Sequence, residues 1–294
     1  LGDWDPSTKK LPKGLSYIAK EALKRKVGFG IWLEPEMVNP QSELYQKHPD
    51  WIITQSKREP ILGRHQEILD LTRPEVQAFE WDIIDKTLRP NPDITYVKWD
   101  CNRYITQPGS SYLQPADQSH LWIDYNRALY RLMDRFAKGF PNVMAMLCAG
   151  GSGRVDYGAM PYFHSFWPSD NTDPLGRIKI QWGFSHFFPA NTISAHVTRM
   201  GKRHLKMAID VALSGAFGID LALDKATAEE RAQIADAVKL YKERIRPLVM
   251  HGELYRLVSP YESPLASLSY VSTDKQKAVV YFYQTKDGNE PRVM

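Results

Sequence analysis

Cysteine is scarce: two residues in 294, Cys101 and Cys148, far apart and each without a CxxC neighbour. That rules against a disulfide framework or a structural zinc site, though not against one bridge. The eight histidines form no HExxH or similarly spaced ligand pair, so no metal site is expected. No apolar run approaches the roughly 18 residues that span a bilayer, and no signal-peptide pattern opens the chain. Runs of five like charges are absent too. The 38 Lys and Arg are interspersed with 34 Asp and Glu, so the net charge of +4 makes no basic stripe for a nucleic acid. Neither a nucleic acid nor a membrane is an expected partner. The chain starts at Leu1 rather than Met, which suggests that sequence precedes it.

What is present is a globular composition, 43% hydrophobic and 24% charged, in a chain long enough for a large core. Lys13 to Lys26 carries Leu15, Ile18, Ala19, Ala22 and Leu23 at helical spacing, and Val27 to Leu33 follows as a strand. The unit then repeats. EILDL (67–71) precedes a helix opened by Pro74, ITYVKWD (94–100) precedes a long helix from about Ser119 to Lys138, and NVMAMLC (142–148) precedes a glycine-rich turn and an expected helix DYGAMPYF. Further strands are expected at His164 to Trp167, Asn191 to Ala195 and Phe217 to Leu221, with helices near 173–187 and 203–214. A last helix is opened by Thr227 and Glu230 as a capping box.

This alternation implies an α/β fold with a parallel sheet. Seven strands after an orphan helix suggest a (β/α)8 TIM barrel over residues 1–250 that lacks its first strand, with a doubly wound sheet as the alternative. From 251 to 294 the texture changes: GELYRL, LASLSYVS and KAVVYFYQT read as the start of a C-terminal antiparallel β-sandwich domain. A barrel without one strand would expose two unpaired sheet edges, so the isolated piece is expected to be poorly soluble or inactive.

Strand ends carry the chemistry in a barrel. Lys98 and Asp100 are two apart on one strand face, with Asn102 just beyond, and the ammonium favours an ionised Asp100. A satisfied ion pair would look the same. Other strand ends add weight: GIWLEPEMV places Trp32, Glu34 and Glu36, and HSFWPSDNTD places Trp167, Asp170 and Asp173. Tryptophans beside carboxylates suit a sugar, and paired carboxylates are what glycoside hydrolysis requires. A phosphate site at AGGSGR (149–154) fits poorly, because it lacks the P-loop lysine and Arg154 spoils GxSxG.

GIWLEPEMVNPQSELYQKHPDW, YVKWDCNR, CAGGSGRVDYG and WPSDNTDPLGRIKIQWG closely resemble the motifs of family 36 glycoside hydrolases, the α-galactosidases, and the likeness continues through SAHV, SGAFGIDL, YKERIRPL and GELYRLVSPYE. The resemblance implies a retaining mechanism without metal or organic cofactor, acting on a terminal α-linked galactose of an oligosaccharide. Asp100 falls on the family's nucleophile and Asp170 on its acid/base, with Asp173 as the second choice. Trp32, Arg64, Lys98, Asn102, Cys148 and Gly151 fall on sugar-contacting positions, and Trp167 joins them as a strand-end aromatic. Glu36 is expected to orient site groups by hydrogen bonds. Two departures stand out: Cys101 replaces the family's usual methionine, and the family's hydroxyl-binding aspartate pair would lie upstream of the GDW segment.

The near alternatives are an α-N-acetylgalactosaminidase, an α-galactosyl transferase of the raffinose-synthase kind, and a catalytically inactive carbohydrate-binding barrel. For the full-length form a homo-oligomer is expected. The compartment stays open, with an intracellular or periplasmic bacterial enzyme as the working expectation.

Overall fold

A computed structural model describes residues 1–286, which divide into two compact units, Leu1–His164 and the residues from Ser165 onward.

In the first unit α1 (Gly14–Lys24) leads into β1 (Phe29–Leu33). Then come β2 (Met37–Val38), α2 (Glu43–Lys47), β3 (Glu67–Ile68) and α3 (Pro74–Leu88). β4 (Ile94–Trp99), α4 (Leu121–Gly139) and β5 (Met144–Leu147) complete it. β4 is the middle strand, parallel to β1 on one side and β5 on the other, in a register that aligns Leu33, Trp99 and Leu147. Two further bonds, Asp100 N–H to the Leu33 carbonyl and Cys148 N–H to the Trp99 carbonyl, each 2.8 Å, carry that alignment one residue past the strands. Asp100 and Cys148 are therefore fixed by backbone pairing at the edge where the strands stop.

Apolar periodicity builds the layer behind them. Leu121, Tyr125, Ala128, Leu129, Leu132, Met133 and Phe136 are buried along one face of α4, each large side chain contributing roughly 1.5–3 kcal/mol. Trp99 meets Phe136 and Phe163 edge-on at 5.9 and 6.1 Å, the preferred aromatic geometry.

The structure departs from the sequence pattern twice here. The 67–71 segment, counted above with the parallel strands, pairs antiparallel with β2 (Met37 to Ile68, Val38 to Glu67) and bridges Ile52 through Leu69 in the same sense. An apolar run specifies that a strand is buried but not the direction of its neighbour. DYGAMPYF forms only a 3-10 turn, Met160–Tyr162. There Pro161 interrupts, and a Cβ on Gly158 would meet the Tyr130 ring at 2.6 Å, so this stretch is pressed against α4.

The second unit runs β6 (Ser165–Phe166), α5 (Pro174–Phe187), β7 (Ser194–Val197), α6 (Leu205–Ala212), β8 (Ala216–Ile219) and α7 (Ala228–Leu240). One π-helical turn, Tyr241–Ile245, joins α7 to α8 (Arg246–His251). β7 and β8 are parallel, and Phe166 bridges Ile193 in the same sense. The Thr227–Glu230 capping box is formed in both directions. β9 (Glu253–Val258), β10 (Leu265–Val271) and β11 (Ala278–Gln284) then make an antiparallel sheet. Two of its tyrosines, together with Tyr241 of the π-helical turn, close on the segment that follows α6. Tyr281, Tyr270 and Tyr241 donate their hydroxyls to the carbonyls of Leu213, Ser214 and Gly215 at 2.9, 2.9 and 3.1 Å. These carbonyls belong to the irregular segment between α6 and β8, so the three phenols replace water there and let it be buried.

Candidate active site

Asp100 is 4% exposed and every bond it makes comes from a neighbouring strand end or its own loop. Trp32 Nε1 donates to Oδ2 at 3.0 Å, Cys101 N–H donates to Oδ1 at 2.9 Å, and Lys98 Nζ stands 4.0 Å from Oδ2. Burial alone would raise the Asp100 pKa. Hydrogen bonds from the side chains of Trp32, Asn102 and Cys148 and from the Cys101 N–H outweigh it, and the carboxyl sits below its usual range. The result is an ionised carboxylate held in a fixed orientation, as a nucleophile requires. Cys148 responds in the opposite sense: burial and then the neighbouring Asp100 charge push its thiol up to about 12, so it acts as a neutral donor.

Trp32 is 42% exposed and tilts against Trp4 at 5.8 Å, leaving aromatic surface open to solvent. The turn after β5 is shaped by Gly150 and Gly151, whose φ values of +57° and +99° suit glycine, and Ala149 N–H donates to the Gly151 carbonyl at 2.9 Å.

Glu34 and Glu36 are both buried and do different work. Glu34 Oε1 accepts the Asn102 N–H, which fastens the loop after Asp100. Burial raises the Glu34 pKa, against the Asn102 hydrogen bonds and with the Asp100 charge, while Arg64 acts to lower it. Glu36 accepts from Trp99 Nε1 at 3.1 Å, Tyr125 hydroxyl at 2.7 Å and Arg154 Nη1 at 2.6 Å. These three bonds tie β4, α4 and the turn after β5 to the end of β1. Glu80 lies beside this pair, fully buried, its carboxyl pushed well up by burial and then by the Glu36 charge.

Arg103 was not singled out in the sequence, although it ends the YVKWDCNR motif. Its Nη2 stands 2.9 Å from Glu67 Oε2 and donates to the Ile61 carbonyl, and a Cβ on Gly63 would meet its Cγ at 3.0 Å. It thereby links the Asp100 loop to the turn bearing Arg64. In that turn Gly63 and Gln66 pair with each other, and both central residues, Arg64 and His65, have positive φ, +54° and +60°. Type I′ turns demand this and normally use Asn-Gly.

In the second unit Trp167 Nε1 donates to Asp170 Oδ1 at 2.9 Å. Unlike Trp32, Trp167 is buried, its ring packed against His196 (4.6 Å) and the Arg177 guanidinium (5.0 Å). Asp173 is engaged otherwise: its Oδ2 accepts the Gly176 N–H at 3.1 Å as the N-cap of α5. Of the sequence-derived residues, Trp32, Lys98, Asn102 and Cys148 each interact with Asp100 in the first unit, with Arg64 near enough to act on Glu34, and Trp167 and Asp170 are paired in the second.

The profile of the family described as Melibiase matches residues 1–252. The chain belongs to the melibiase family. It is 41% identical over 99% of its length to alpha-galactosidase AgaA of Geobacillus stearothermophilus, covering 41% of that protein. It is 36% identical to alpha-galactosidase 2 of Hypocrea jecorina over 97% of its length and 39% of that relative. The crystal structure of the GH36 alpha-galactosidase AgaA superposes with a TM-score of 0.94 over 99% of this chain and 41% of that one. An AgaA variant has been solved in complex with raffinose, at 40% identity to this chain and the same TM-score, 0.94, over 99% of it and 41% of that structure. This melibiase-family chain thus spans about two fifths of the length of the curated relatives it matches.

Proposed function

We propose that this protein is a retaining α-galactosidase that removes terminal α-linked galactose from oligosaccharides of the raffinose and melibiose type. The observation that carries the proposal is the setting of Asp100: a buried carboxylate kept ionised by three side-chain donors, one of them a half-exposed tryptophan. Kinship supports it, since the relatives are named as α-galactosidases and one is complexed with raffinose.

In the proposed reaction an Asp100 oxygen attacks the anomeric carbon while Asp170, protonated, gives its proton to the departing glycosidic oxygen. The C–O bond to the aglycone breaks and a galactosyl ester of Asp100 forms. Asp170, now a carboxylate, takes a proton from water, whose oxygen attacks the same carbon. The ester bond breaks, galactose leaves with its configuration retained, and Asp170 is reprotonated. Trp32 stacks on the sugar, and Arg64, Lys98, Asn102, Cys148 and Gly151 bind around it. Residues 1–250 belong to a (β/α)8 barrel in which β4 is the strand next to β1, while Glu67–Leu71 lies outside the parallel series. Residues 251–294 begin a β domain; its last eight, 287–294, lie outside the described residues.

The test is an assay of the full-length protein on nitrophenyl α-galactoside, α-N-acetylgalactosaminide and α-glucoside. Galactoside should be strongly preferred, α-galactose should be the first product, and Asp100→Asn should turn over at less than about a thousandth of the wild-type rate while still binding sugar. Undiminished turnover by Asp100→Asn, or preference for another glycoside, overturns the proposal.

A further inference from the structure

Arg177, in the first turn of α5, is 2% exposed, yet no carboxylate among the described residues forms an ion pair with it. Its donors go to neutral oxygens: Nε to Gln181 Oε1 at 3.2 Å, Nη1 to the Ser169 carbonyl at 3.2 Å, and Nη2 to the Ser194 carbonyl. The guanidinium also lies 5.0 Å from the centre of the Trp167 ring. Burial lowers its pKa to about 10, which still leaves it charged at neutral pH. Burying a cation with no anion costs several kcal/mol, so fold stability alone gives no reason for it.

What the charge touches supplies a reason. Trp167 and Ser169 both lie within three residues before Asp170, and Trp167 is the side chain that donates to Asp170. The segment from Ser169 to Arg177 is tied down as well: Asn171 N–H donates to Ser169 Oγ, Asp173 N–H to Asn171 Oδ1, each at 3.0 Å, and the Arg177 N–H to the Asp173 carbonyl at 2.8 Å. We propose that Arg177 is the positioning residue of Asp170, clamping the Trp167 ring from one side and the Ser169 carbonyl from the other, so that the carboxyl is held in line with the departing oxygen. This deepens the proposed function and rests on Asp170 as its acid/base.

A misplaced acid has a signature that general loss of structure lacks. Nitrophenolate departs with little help from a proton, whereas a sugar alkoxide needs one, and displacement by about 1 Å costs on the order of 100-fold in a geometry-dependent step. The experiment measures kcat/KM of the full-length protein on dinitrophenyl α-galactoside and on raffinose, for wild type, Arg177→Lys, Arg177→Met and Trp167→Phe. Arg177→Met should lose no more than about 10-fold on the activated substrate but about 100-fold on raffinose. Trp167→Phe keeps a ring for the guanidinium but removes the donor to Asp170, and should show the same skew; Arg177→Lys should restore part of it. Equal losses on both substrates, or no loss, overturn the proposal. If Arg177→Met does not fold, an unskewed Trp167→Phe overturns it alone. Wild-type protein inert toward both substrates would instead remove the α-galactosidase reading, and the proposal with it.

Discussion

The indole of Trp32 donates to Asp100 across 68 positions of sequence, from the end of β1 to the end of β4. Trp167 makes the same kind of bond to Asp170. In the first case the bond helps hold Asp100 ionised. Its contribution to stability is present above the ordinary aspartate pKa of about 3.9 and is lost as pH falls through the lower folded value. Trp32→Phe removes the donor and keeps the ring. The acid limb of kcat/KM should then move to higher pH, because a hydrogen bond that favours the charged form is lost. An unmoved limb would show that the N–H does not tune Asp100.

Asp173 and Asp170 are three residues apart, and their variants should fail in different ways. Asp173→Ala removes the cap of α5 and should lower unfolding stability by about 1 kcal/mol, leaving the chemical step on a nitrophenyl galactoside nearly intact. Asp170→Ala should leave stability nearly unchanged and slow turnover of an unactivated galactoside by about 100- to 10,000-fold. Chemical denaturation and steady-state kinetics on the same preparations separate the two, and a swap of these outcomes would exchange their roles.

Arg154 is the counter-charge to Glu36 at 2.6 Å, and Glu36 has no solvent exposure. Burial opposes the Arg154 charge, but the Glu36 carboxylate more than restores it and holds the pKa above the ordinary arginine value. Arg154→Met leaves a buried carboxylate unpaired and should cost about 3–5 kcal/mol. Adding Glu36→Gln should recover a good part of that. Urea unfolding of the single and double variants checks it, and an additive double variant would mean the pair is uncoupled.

How much of this was legible in the sequence differs from residue to residue. Asp100 was, because a period-2 strand ending in Lys98 and Asp100 places both on one face whatever the strand's neighbours are. Glu36 was legible as a hydrogen-bonding group at a strand end, but its partners Tyr125 and Arg154 are 89 and 118 positions away, and no local pattern announces them. The antiparallel pairing of Glu67–Ile68 was not, since alternation is blind to the direction of the partner strand. DYGAMPYF read as a helix on its apolar spacing, but Pro161 and the contact of Gly158 with Tyr130 decide otherwise. Trp167 was read as a sugar-facing aromatic. Its packing against His196 and Arg177 depends on residues 29 and 10 positions further along.

The turn at Arg64 and His65 has a consequence for how this chain responds to selection. Left-handed backbone at two residues that carry Cβ atoms costs about 1–2 kcal/mol each, which glycine would relieve. A search for heat tolerance alone would drift toward Gly at these two positions and would remove the Arg64 side chain in doing so. On the proposed sugar-binding role of Arg64, a search for turnover would hold it and tolerate the tension, so the two pressures would pull this hairpin tip in opposite directions.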